Sequence, residues 1–235
     1  MFNVSDSHHF RKTIAGMGMV LAPIALLAGM VIHPARKDDV GAQLAVVADN
    51  LDAWYLAHLL VLVSIVLAVP AILGLMHMLR EREIAAGNVG GALALVGLIA
   101  TTGVVAIDGF VGWQAAQGGA DSAAMTALFE RVTESSGVVI PFFVVSLALG
   151  LGLVVLALGL YRARAVQSWM AAFVAVAAVC LAIAGPLYSD VLSIVGAAFL
   201  FVGLGSIGRH VLRETDADWE HTPDYEDFRP LAGMR

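Results

Sequence analysis

The chain has 235 residues, of which 60% are hydrophobic and only 14% charged, and its mean hydropathy is +0.86. That excess excludes an ordinary soluble domain and describes a membrane protein. A net charge of −6 with dispersed basic residues excludes a nucleic-acid footprint, and the lone Cys180 excludes an intramolecular disulfide or a cysteine metal motif.

Six stretches reach the roughly 20 apolar residues of a spanning helix. The first, Thr13 to His33, follows Arg11 and Lys12 and imitates a signal peptide. Its length, and His33 where a cleavage site needs a small residue, predict that it is retained. In "DDVGAQLAVVADNL", Val40, Leu44, Val47 and Leu51 recur at helical spacing behind an Asp cap, which predicts a short surface helix. The second span, Tyr55 to Leu79, has Trp54 at its rim and His58 inside the apolar run. The third, Val89 to Trp113, holds Asp108 about 7 to 8 Å of helix rise below its end, with Gln114 at the rim. "SAAMTALFERV" then repeats the surface-helix pattern through Met125, Leu128, Phe129 and Val132.

The fourth span is Val138 to Tyr161. The fifth, Trp169 to Ser189, and the sixth, Val191 to Val211, are divided by a turn around "GPLYSD", which carries Tyr188 and Asp190. These elements describe an all-α polytopic bundle over residues 1–212, with two short external interfacial helices that lead into spans or roof an outward-facing pocket. The remainder, 213–235, mixes acids, prolines and aromatics without apolar periodicity and reads as a disordered acidic tail. A shift of 82 positions aligns Ser64 with Ser146, Arg80 with Arg162 and Asp108 with Asp190, a weak internal match between the second and fourth spans and their successors.

Basic residues set the orientation. Arg11, Lys12, Arg80, Arg82, Arg162, Arg164, Arg209, Arg213, Arg229 and Arg235 would share one side, against Arg36, Lys37 and Arg131 on the other. Both termini are therefore expected in the cytoplasm, and the chain in a prokaryotic plasma membrane. Glycines such as Gly16, Gly18, Gly90, Gly97, Gly203 and Gly208 permit close helix approach, within the chain or in a homo-oligomer or protein complex.

Depth places His58 and Asp108 in one outer layer. His33, Asp190, Tyr188, Trp54 and Gln114 lie near the same end. Ionisable groups inside a span face a bundle interior or a cavity, so this set is the candidate ligand site. The bland alternatives are an internally bonded histidine and an aromatic belt of Trp54, Tyr55, Trp113 and Tyr188. Two more histidines, His77 and His210, lie near the cytoplasmic end, and the arrangement of His33, His58, His77 and His210 invites a haem b reading with histidine pairs at each face.

The stretch "WYLAHLLVLV…PAILGLMHMLR", with the preceding His33 and Pro34, resembles the start of helix two in uncharacterised prokaryotic multi-pass membrane proteins that share a Trp-x-x-x-His opening and a closing basic pair. That resemblance implies no activity. The leading expectation is a non-enzymatic membrane protein with an outward polar site for a small ligand, or a transport or accessory subunit. The alternatives are an electron carrier with haem and a metal-assisted hydrolase using His33, His58 and Asp108.

Overall fold

A computed structural model describes residues 7–117 and 121–224. Among them the chain is helical and has no strand: α1 (Ser7–Ile32), α2 (Val40–Asp49), α3 (Leu51–Met78), α4 (Ile84–Ala116), α5 (Ser122–Glu134), α6 (Ser136–Arg162), α7 (Ser168–Ala184), α8 (Asp190–Val211) and α9 (Asp216–Trp219). Five of these, α1, α3, α4, α6 and α8, are long and apolar enough to cross a membrane. The fifth expected span is the shorter α7, with 17 residues, because the chain turns after Ala184. Tyr188 there takes a left-handed φ of 47°, and the Ser189 side chain accepts from Leu192 N to cap α8.

The six long helices form a ring in chain order. Each packs on its sequence neighbours, and α8 closes the ring against α1. Glycines make the closest crossings: a Cβ on Gly97 of α4 would run into the backbone of Leu149 on α6, and one on Gly152 into Ala94. The glycine faces named from the sequence thus serve contacts inside this chain.

Neither α4 nor α6 is a regular α-helix throughout. Val105–Val111 and Val139–Val144 are π-helical. In α6, Pro141 supplies no N–H to a helical bond. In α4, the hydroxyls of Thr101 and Thr102 donate back to Gly97 O and Leu98 O (2.8 and 3.1 Å), which competes with the regular ladder just before it widens.

Packing is dense at the end where α1 begins and α8 finishes, where Leu75, Leu79, Leu156, Leu160, Ile207 and Val211 are fully buried. The tail segment expected to be disordered departs from that expectation over 213–224. Its capping box of Thr215 and Asp218 starts α9, and Trp219 is buried and stacks on His77. The lack of apolar periodicity gave no sign of this, because one tryptophan and several ion pairs hold the segment. Residues 225–235 lie outside the described residues. At the opposite end, α2 and α5 pack together over the ring with Leu44, Val47 and Phe129 buried, whereas Leu128, placed by its spacing on the same stripe as Phe129, is exposed; Asp39 caps α2 through Ala42 N (2.7 Å).

Candidate functional site

The outer layer read from the sequence divides into three parts. His33, Trp54 and His58 form one aromatic block, with ring centroids 4.5 to 5.0 Å apart. Trp54 is not a belt residue: it is 1% exposed, and its indole N–H donates to Gly109 O (2.9 Å). The exposed edge is instead made by Tyr55 on Phe110 and Trp113. Gly109 is needed because a Cβ there would enter the His58 ring.

His58 donates from Nδ1 to Trp54 O (2.9 Å), so its Nε2 faces Asp108 Oδ2 at 3.4 Å. Two acceptors cannot bond one another. The contact therefore requires one proton, held on the imidazole or on the carboxyl. The π turn around Asp108 sets this meeting, and such turns are frequent at functional sites.

The second part is a chamber of about 750 Å³ inside the ring, within the range of small-molecule sites. Asp108 and Tyr188 border it; His33, Trp54 and His58 stand behind Asp108. Its polar lining gathers under the roof: Arg36, Lys37 and Gln43 near α2, Thr133 on α5 and Ser193 on α8. Further toward the termini the wall becomes Ala71, Ile72, Leu75, Leu98, Leu153 and Leu204.

The third part is a clamp that the sequence reading missed. Arg36 Nε donates to Asp190 Oδ1 (2.8 Å), its Nη2 donates to Ser189 O (3.0 Å), and the same group reaches Ser193 Oγ. Asp190 is thus the counter-ion that ties the α1–α2 connection to α8. Gln43 is buried; its Oε1 accepts from Lys37 N (2.6 Å), while its Nε2 has no acceptor among the described residues. The available signal was a glutamine on the inward face of an otherwise apolar amphipathic helix.

Gln114 is exposed and does not border the chamber. At the other end His77 donates from Nε2 to Trp219 O (3.0 Å), and His210 is exposed. His33 and His58 pack ring against ring rather than across a gap, so no observation favours haem ligation. Among the described residues no three His, Cys, Asp or Glu side chains are grouped to hold a metal ion. No family model matches the chain, and neither a curated protein nor a solved structure matches it.

Proposed function

We propose that the chain is a six-span, non-enzymatic protein of a prokaryotic plasma membrane, both termini cytoplasmic, that binds a small ligand in the chamber as a transport or accessory subunit. The chamber carries this reading: it is walled by all six long helices, and its charged and amide groups lie at the end opposite the termini. That end has Arg36, Lys37 and Arg131, whereas Arg11, Lys12, Arg80, Arg82, Arg162, Arg164, Arg209 and Arg213 lie toward the other, the bias expected of a cytoplasmic face. The prokaryotic assignment rests on the resemblance at the start of α3.

A membrane-impermeant maleimide tests access and orientation together. With Cys180 replaced by Ser, Thr133→Cys should label on intact cells, and Arg213→Cys only after permeabilisation. Labelling of Arg213→Cys alone on intact cells would invert the topology and remove the outward site.

A further inference from the structure

The chamber is graded along its length. Its charged and amide groups, Arg36, Lys37, Asp38, Gln43 and Asp108, all lie near the roof. Ser64 and Thr101 come next, and beyond them the wall is almost wholly hydrocarbon down to Leu75. From Val61 to Leu75 the lining runs along 15 residues of α3, about 21 Å of helix rise. One leaflet of a bilayer offers a chain about 15 Å of hydrocarbon, half of a core about 30 Å thick. The apolar depth therefore suits an extended lipid chain better than a compact polar solute.

Two polar groups ask for an acceptor on the occupant. Gln43 is 8% exposed, its carbonyl oxygen is fixed by Lys37 N, and its amide nitrogen is buried without a partner among the described residues. A buried donor left unmade costs free energy; the nitrogen is closed off, so an oxygen of a bound head group would recover that cost once the Gln43 amide turns toward it. Ser64 is 7% exposed and borders the chamber with no hydrogen-bond partner among the described residues.

The ring also has a seam toward the bilayer. Residues Ser136–Val138 and Val139–Val144 at the roof end of α6 include no buried side chain, and this stretch packs on α4 rather than α7. Opposite it, α7 has already ended, and among the described residues nothing stands within 4 Å of a Cβ built on Gly185. Val139, Phe143, Val144 and Leu147 on one side and Ala182, Gly185 and Pro186 on the other border the chamber at this seam.

We infer that the ligand is a bilayer amphiphile with one long acyl or prenyl chain, which enters between α6 and α7. Its chain lies along the apolar wall, and an acceptor oxygen of its head meets the Gln43 amide beside the Lys37 ammonium. This deepens the proposed binding function and rests on it.

The probe is palmitate carrying a mid-chain diazirine, irradiated with the full-length protein in phosphatidylcholine liposomes and mapped by mass spectrometry. Adducts should appear on Ala71, Leu98 and Leu153 and be suppressed by excess palmitate. Gln43→Glu keeps the acceptor for Lys37 N but replaces the donor, and should lower chamber labelling about tenfold. Ala68→Phe, which blocks the apolar part of the chamber away from the head-group site, should lower it at least as far. Adducts confined to the exposed Val66, Ile99 and Leu151, or chamber labelling equal in all three proteins, would overturn the amphiphile. Maleimide labelling of Thr133→Cys separates the two readings. If it persists without chamber adducts, the outward site stands and the lipid ligand fails; if chamber adducts form while Thr133→Cys stays unlabelled, the lipid ligand stands and the water-open site fails.

Discussion

His58 sits in the apolar run of α3 because three neighbours satisfy it. Its Nδ1 bonds Trp54 O, its ring lies on Trp54 and His33, and Gly109 leaves it room. Trp54 is the keystone of this block, joining α3 to the π segment of α4 through Gly109 O. Trp54→Phe keeps most of the ring contact and removes the N–H. Hydrogen bonds in membrane proteins are worth about 0.6 kcal/mol on average and up to about 1.7 kcal/mol, so this substitution should destabilise within that range, whereas Trp54→Ala, which also leaves a cavity, should cost about 3 to 5 kcal/mol. Unfolding in mixed micelles measures both. Equal effects of the two variants would show that the bond, not the packing, holds the block.

At the scale of elements, α4 and α6 cross where glycine removes the side chain. Gly97→Leu would force Leu149 and its neighbours apart, an overpacking cost of about 1 to 3 kcal/mol or more, and should lower the melting temperature in detergent. Gly185→Ala is the matched contrast. Gly185 has an ordinary helical φ of −62° and open space around it, so alanine should leave the melting temperature unchanged or raise it slightly. A similar loss in both would refute the assigned role of the crossing.

The apolar stretches, the Asp39 cap and the inward face of α2 were legible because each is a local pattern of periodicity or capping. The π turns were not: which carbonyl a widened helix bonds depends on the neighbour it packs against. Arg36 and Asp190 were equally opaque as a pair, since 154 residues of chain separate them.

For the molecule as a whole, the tail joins the first and last parts of the chain at one end. Lys12, buried within the bundle, pairs with Asp216 (2.5 Å) and donates to Glu214 O; His9 also meets Asp216, and His8 meets Glu220. From the α3–α4 connection, Arg80 donates to Trp219 O, Arg82 to Thr222 O, and Glu81 accepts from Thr222 N and His221. These bonds hold carboxyls below their usual range: Asp216 by the Lys12 bond, Glu220 by His8, Glu81 by Thr222 N and then His221, and Asp218 by Thr215. Glu214 opposes them, raised by burial and then by Asp218.

A depressed carboxyl contributes its full stabilisation above its unfolded pKa of about 4 and loses it as pH falls through the lower folded value, whereas the raised Glu214 favours docking at low pH. Four groups against one predict that acid releases the tail. A spin label on Ala217→Cys, with Cys180 replaced, should be immobile at neutral pH and become mobile below about pH 4. Release on raising the pH instead would reverse the assignment of the clamp.

Composition and hydropathy alone determined that this chain builds long apolar helices of membrane-spanning length, because roughly 20 consecutive apolar residues have few other stable environments. They also placed His58 and Asp108 in one layer, since helix rise converts sequence position to depth. Only the tertiary structure decided what that layer encloses. A chamber is the space left by six helices whose mutual spacing depends on which small residues meet, and its lining joins Gln43, Ser64, Asp108 and Ser193 from four separate helices. No local pattern records which faces of those helices turn toward one another.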